Sequence, residues 1–117
     1  MKSYILGAVV GTGGILANQY VKQDGSGGVV GNDGAATAIG MANATKVAGE
    51  LVGVIVSGIV KSPLTDNATY SFGDKLELKA DGQTLTALAA GTLTAIAIET
   101  KTTTAPDNGL RVLLLFI

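Results

Sequence analysis

The longest regular run of apolar side chains lies near the middle of the chain, at Glu50–Val60, with the sequence ELVGVIVSGIV. Valine and isoleucine fit the pleated surface of a sheet and are stiff in a helix. Two glycines in this run, Gly53 and Gly58, would each weaken a helix interior. A short core helix is the alternative interpretation, but length and composition favour a buried strand.

Alternation of apolar and polar positions marks a second strand, in which Leu76 and Leu78 point to one face while Lys75, Glu77 and Lys79 point to the other. Asp-Gly pairs, which are typical of hairpin turns, follow two of the predicted strands, at 24–25 and 81–82. The predicted strands cover residues 3–10, 15–23, 29–30, 35–41, 50–60, 70–79, 83–87, 92–99 and 110–117. The pattern therefore predicts an all-β domain, a compact β-barrel or β-sandwich of short antiparallel strands. We expect its core to contain Val54, Val56, Leu76, Leu78, Ile96, Ile98, Val112 and Leu114.

The two halves of the chain resemble each other at an offset of 57 positions, which places VKQDG at 21–25 over LKADG at 78–82. Gly34 then falls on Gly91, and the triplet at 37–39 falls on the triplet at 94–96. Because the turns and the strands coincide, we interpret the chain as two duplicated half-units, about 15–60 and 70–117. Chance similarity between two halves rich in Ala, Gly and Thr is the alternative.

The N-terminal residues 1–14 are predicted to form an arm and a turn that precede a single β domain at 15–117. A signal peptide is the alternative, but glycines interrupt the apolar stretch and favour a first strand. An apolar strand outside both half-units needs a cover, and pairing with the edge of another sheet is the simplest one. We therefore predict that a capsid or a neighbouring subunit contacts this segment at Tyr4, Ile5, Leu6 and Val9.

The C-terminal segment LRVLLLFI ends in six consecutive apolar residues, so it cannot direct all of them into its own core. Val112, Leu114 and Phe116 share one face of the predicted strand. The second predicted set of contact residues is the opposite face, Leu113, Leu115 and Ile117. An exposed patch of this kind favours a homo-oligomer.

The composition excludes several classes of function. The chain of 117 residues contains no cysteine and no histidine, so disulfides, thiolate metal sites and a Ser-His-Asp triad are all ruled out. Its net charge is −1 and its basic residues are scattered, which argues against a nucleic-acid partner. No stretch reaches the length of a transmembrane helix, so we expect no membrane partner. Only 15% of the residues are charged, which suits a surface covered by neighbours.

Two motifs could suggest a ligand. The glycine-rich run at 25–31, GSGGVVG, matches neither the dinucleotide fingerprint nor the P-loop, and a hairpin loop is the better interpretation. Its flanking Asp24, Asn32 and Asp33 lack the order of an EF-hand. A glycosidase pair among Asp74, Glu77, Asp81 and Glu99 is disfavoured, because the chain has no tryptophan to line a sugar cleft. We therefore predict no catalytic residues, no cofactor and no metal.

The motifs together resemble a known family. AIGMANATKVAGELVGVIVSGIV, then FGDKLELKADGQTL, then AIAIETKTTTAPDNGLRVLLLF are similar to the small decoration (cement) proteins of tailed-phage capsids. Ile39-Gly40, Ala48-Gly49-Glu50, Ser57-Gly58, Gly73-Asp74 and a closing pair with Ala95, Ala97 and Glu99 carry the resemblance. It extends over about 16–116, with a longer threonine-rich loop at 101–106 than the family pattern. It implies a non-enzymatic β module that binds the outer capsid lattice as an oligomer and resists the pressure of the packaged DNA.

The prediction is therefore a structural virion protein that binds the major capsid protein on the outer surface of a phage head and stabilises the head. A β-sandwich binding module of a tail fibre or a surface adhesin is the alternative. A homotrimer is favoured and a dimer stays possible, because three-fold positions of a capsid lattice match a cyclic trimer.

Overall fold

A computed structural model describes residues 4–64, 68–104 and 109–116 of the chain. These residues form strands and turns without any helix, which confirms the predicted all-β class. None of them therefore belongs to a helix that could cross a membrane. The strands are β1 (Tyr4–Val9), β2 (Tyr20–Gln23), β3 (Val29–Gly31), β4 (Gly40–Ala42), β5 (Leu51–Ser62), β6 (Ala68–Tyr70), β7 (Lys75–Leu78), β8 (Leu85–Ala87), β9 (Ala95–Ala97), β10 (Lys101–Thr103) and β11 (Leu110–Leu115).

The predicted central strand is present as β5, and the main sheet is built around it. Neighbouring strands follow the order β3-β2-β4-β5-β11-β9-β7-β8, and β1 also pairs with β5. All of these strand pairs are antiparallel, and the sheet curls into a half-barrel. β6 and β10 form a separate two-stranded sheet. β10 lies in a segment that we predicted to be a loop.

Two rings of strands share β5. In the first ring, β1 pairs with residues 51–57 of β5, and a parallel bridge between Val10 and Val29 connects the end of β1 to β3. In the second ring, β11 pairs with residues 57–62 of β5, and a parallel bridge between Leu64 and Leu85 connects the end of β5 to β8. Both rings therefore repeat one order of strands. The duplication of half-units stays a prediction, which a superposition of the two rings would test.

Each ring encloses a cluster of buried side chains. The first cluster is small and consists of Val10, Ile15, Val21, Val29, Ala42, Val52, Val54 and Val56. The second cluster is larger and contains Tyr20, Met41, Leu64, Tyr70, Leu76, Leu78, Leu85, Ala95, Ala97, Leu110, Val112 and Leu114. Phe116 packs against both clusters and so connects them.

Six of the eight predicted core residues are buried, and two are not. Ile96 and Ile98 are only half-buried, whereas Ala95 and Ala97 are fully buried. The prediction assigned the wrong face of β9 to the core, because it placed the larger side chains inside. The register places Ala95 opposite both Leu114 and Leu76, so the leucines of the flanking strands fill this part of the core.

Two predicted strands are much shorter than expected. Of residues 15–23 only Tyr20–Gln23 form a strand, because Asn18 adopts a φ of 66° and the Gln19 side chain accepts a hydrogen bond from the N–H of Leu16. Of residues 35–41 only Gly40 and Met41 lie in β4. The N–H and the hydroxyl of Thr37 both donate to the carbonyl of Gly34, which forms a turn in place of a strand.

One glycine determines how closely β4 approaches β5. A Cβ atom at Gly40 would lie 2.7 Å from the carbonyl oxygen of Ile55, which is a distance that real Cβ atoms do not tolerate. The glycine that the sequence places in the Ile-Gly motif is therefore needed for this strand pair to form.

Candidate functional site

Exposed apolar side chains are concentrated on the first ring. Ten large apolar side chains are exposed among the described residues, and seven of them lie in β1, at the start of β5 or in the adjoining turns. We call these seven the apolar patch: Tyr4, Ile5, Leu6, Val9, Leu16, Val47 and Leu51. Large apolar side chains that are exposed in this number on one part of a molecule are candidates for contact with a partner.

The four predicted contact residues of the N-terminal segment all belong to this patch. Tyr4 is 62% exposed, Ile5 52%, Leu6 54% and Val9 45%. The segment does not extend away from the domain, because β1 pairs along its whole length with β5 of the same chain. That pairing occupies one edge of β1 and leaves the four side chains at the surface.

The second predicted contact set lies on the second ring. Leu113 and Leu115 are half-buried on the outer face of β11, while Val112 and Leu114 on the inner face are fully buried. This confirms the predicted division of the strand into two faces. Ile117 lies outside the described residues. Leu113 is the register partner of Ile59 on one side and Ile96 on the other, so it belongs to an apolar row across three strands.

A groove opens in the first ring between β1 and the hairpin that joins β2 to β3. It has a volume of about 370 Å³, and its walls are Leu6, Gly7 and Ala8 on one side and Gly25, Gly27 and Gly28 on the other. Its floor is apolar, because Val29, Ile39 and Val54 reach it from the core of the ring. The groove therefore offers both apolar surface and peptide backbone to an occupant.

The corresponding opening in the second ring is filled by the first ring. The fully buried Tyr20 of β2 inserts there, and its hydroxyl lies 2.6 Å from Oγ of Ser62 at the end of β5. Its ring packs edge-on against Phe116 at a centroid distance of 6.0 Å. Burial raises the pKa of the Tyr20 hydroxyl far above its ordinary value, although the hydrogen bond with Ser62 acts in the opposite direction. The hydroxyl therefore stays protonated as part of the packed junction.

An amide network seals the same junction. The Gln83 side chain accepts a hydrogen bond from the N–H of Tyr20 and donates to the carbonyls of Tyr20 and Asn32. The Asn32 amide donates in turn to the carbonyl of Gly82. Gly82 has a φ of 72°, and a Cβ atom there would lie 2.5 Å from the backbone nitrogen of Gly34, so only glycine fits. These residues are not recognisable as a junction from the sequence, since nothing local marks contacts across 50 or more positions.

The two Asp-Gly turns hold their carboxylates in the same way. Oδ1 of Asp24 accepts hydrogen bonds from the N–H groups of Ser26 and Gly28 at 2.7 and 3.0 Å, and these bonds lower the pKa of Asp24. Burial acts to raise the pKa of Asp81, but hydrogen bonds from Gln83 and Thr84 outweigh it and the pKa falls. The glycine-rich loop therefore already uses two of its N–H groups to bind an anionic side chain, which supports its interpretation as a hairpin loop.

Asp74, Glu77 and Glu99, the other candidate carboxylates of the sequence, do not form a pair across a cleft. Asp74 accepts a hydrogen bond from the N–H of Ser71 in its own turn, and Glu99 accepts one from the N–H of Arg111. Glu77, which the alternation assigns to the polar face of its strand, is half-buried against Gly91, and its Oε2 has no hydrogen-bond partner. No three acidic residues cluster in a manner that could hold a metal ion within the described parts of the chain. The surfaces with a geometry suited to a partner are thus the apolar patch, the groove and the row at Leu113.

A family model described as a phage cement protein matches residues 6–114, which extend from β1 to β11 and contain both rings. No curated protein matches the chain.

Proposed function

We propose that this chain, which belongs to the phage cement protein family, is a non-enzymatic structural component of the phage particle that binds the outer surface of the head and stabilises it. Its membership confirms the resemblance seen in the turn and strand motifs. The proposed partner is the major capsid protein. The family match gives no support to the alternative of a tail-fibre or adhesin module.

The observation that carries the proposal is the position of the apolar patch. Val9 and Leu51 are register partners at the edge of the first ring, and Val47 lies in the turn that leads into β5. Their side chains stay 45%, 70% and 65% exposed in the isolated chain. Covering such side chains removes apolar area from water, which contributes about 25 cal/mol per Å² before the costs of association are subtracted.

Stabilisation of the head follows from linkage. A protein that binds the assembled shell and not its separated subunits stabilises the shell by RT ln(1 + [L]/Kd) at each site. A head offers many identical sites, and an oligomer that occupies several of them at once gains avidity without new contacts. A trimer on the three-fold positions of the lattice would have this property, and it remains our preferred assembly.

The test is binding to phage heads that lack this protein. We expect Leu51→Asp and Val47→Asp to abolish co-sedimentation with the heads while leaving the circular dichroism spectrum of the free protein unchanged. Phe72→Asp is the matched control, because Phe72 is 71% exposed but lies in a turn of the second half of the chain. Full binding by both patch variants would refute the assignment of the patch, and wild-type protein that fails to bind heads would refute the proposed function.

A further inference from the structure

The two rings have equivalent openings, but only one opening is covered within the chain. In the second ring, the opening between Ser62 and the hairpin residues Gly82 and Gln83 is filled by Tyr20 from the first ring. In the first ring, the equivalent opening between Ala8 and the glycines of the β2–β3 hairpin is the empty groove. We propose that a second copy of this chain fills that groove with the outer face of its second ring, in a head-to-tail arrangement.

The strand register identifies which residues of the second copy would enter. In the first ring, the residues that cover the other ring form one row across β2, β4 and β5, namely Tyr20, Met41 and Ile55. On the second ring, the row that crosses β7, β9 and β11 on the face pointing away from its own core is Lys75, Ile96 and Leu113. The first row is buried in the junction between the rings or packed against it. Two of the three members of this second row are apolar, and both are only half-buried.

The chemistry of the groove suits this row. Its floor of Val29, Ile39 and Val54 would pack against Ile96 and Leu113, whose side chains are only half-buried in the isolated chain. The contact therefore joins the two surfaces that the sequence analysis predicted separately, at β1 and at Leu113.

Charge also fits. The Asp24 carboxylate lies next to the groove, because it accepts a hydrogen bond at 3.0 Å from the N–H of Gly28, which lines the groove. Its lowered pKa keeps it anionic at neutral pH. Lys75 is exposed at one end of the entering row and supplies the opposite charge.

The arrangement determines the symmetry of the assembly. A groove on one copy and a face on another form a heterologous contact, which closes into a cyclic oligomer when its rotation allows and otherwise continues as a filament. Closure after three copies gives the trimer that suits a three-fold capsid position. The contact forms between free copies, so its test needs no phage head and is independent of the test of head binding.

The experiment measures the mass of the free protein by light scattering for the wild type and four variants. Gly7→Glu introduces a charge into the groove, where a Cβ atom would meet no atom within 4 Å in the chain itself. Leu113→Glu introduces a charge into the entering face. We expect both variants to be monomers, while the wild type and the control Phe72→Glu are oligomers of one defined size. Lys75→Glu changes an exposed side chain, so we expect the fold to be retained and association to weaken severalfold.

A mixture of two variants distinguishes this contact from a symmetric one. Gly7→Glu retains an intact face and Leu113→Glu retains an intact groove, so one good contact can form between them. We expect an equimolar mixture to give dimers, although each variant alone is monomeric. A monomeric wild type, unchanged association in the Gly7 and Leu113 variants, or a mixture that stays monomeric would each overturn the proposal.

Discussion

The first ring is filled with valine, alanine and isoleucine, while the second ring is filled largely with leucine. The first ring carries the apolar patch and an open groove, whereas the opening of the second ring is packed by Tyr20. The same order of strands thus occurs once with an open groove and once with an opening that is packed by a side chain of the same chain. The comparison suggests that the second ring supplies most of the stability and the first ring supplies the surfaces for partners.

The most direct test of this division of roles is to truncate one buried side chain in each ring and to compare the losses in stability. We expect Leu76→Ala in the second ring to lower the free energy of unfolding by about 3 kcal/mol, since it leaves a cavity in a fully buried site. Val54→Ala in the first ring removes fewer buried atoms and should cost about 1.5 kcal/mol. Urea denaturation measures both values. A larger loss at Val54 than at Leu76 would contradict the division of roles.

The hydrogen bonds of Gln83 across the junction between the rings should contribute less to the free energy of unfolding than a buried core side chain, but more than an exposed one. Gln83→Ala removes three hydrogen bonds to the first ring, and we expect a loss of about 2 kcal/mol because the partners in the junction become unsatisfied. The matched variant is Gln23→Ala, at the exposed end of β2 beside the other hairpin, with an expected change within about 0.5 kcal/mol. The measurement is again urea denaturation, and equal losses would mean that these hydrogen bonds contribute nothing of their own.

The smallest expected effect concerns the two Asp-Gly turns and depends on pH. The pKa of Asp81 is lowered in the folded chain from an ordinary value of 3.8, so its contribution is complete above that value and disappears as the pH falls through the lowered one. Solvent screening keeps this contribution below about 1 kcal/mol. We expect the stability of Asp81→Asn to fall less steeply than that of the wild type below pH 3.8.

The control for this measurement is Asp24→Asn. Its stability should also fall less steeply with decreasing pH than that of the wild type, because the pKa of Asp24 is lowered as well. Urea midpoints measured at a series of acidic pH values give the slopes. Identical slopes in the wild type and in both variants would show that neither carboxylate is stabilised by its turn.

Local patterns predicted the parts of the fold that local forces determine. The run of valine and isoleucine in β5, the alternation in β7 and the Asp-Gly turns are each recognisable within a dozen residues, and all are present. The first strand was predicted on the same basis and is present as β1. The contacts of its apolar side chains with a partner stay a prediction.

Contacts between distant segments were not predictable in this way. Tyr20 was assigned to a strand, but its role in filling the second ring depends on Ser62 and Gln83, which are 42 and 63 positions away. The inner face of β9 was assigned wrongly because side-chain size does not determine which face is buried once leucines on both neighbouring strands fill the same space. The groove likewise depends on where β1 lies relative to the β2–β3 hairpin, and the local sequence of β1 carries no information about that position.

The twelve residues of β5 belong to both rings, and this has a consequence for how the molecule comes apart. Separation of β5 from one ring would also disrupt the other ring, because β5 pairs with strands of both. Partial unfolding should therefore be suppressed, and the chain should unfold in one cooperative transition. The most protected amides in hydrogen exchange should then lie in β5, with one opening free energy shared by its two ends. In a particle whose shell must survive for long periods, a subunit without a readily opened part presents few sites for a protease.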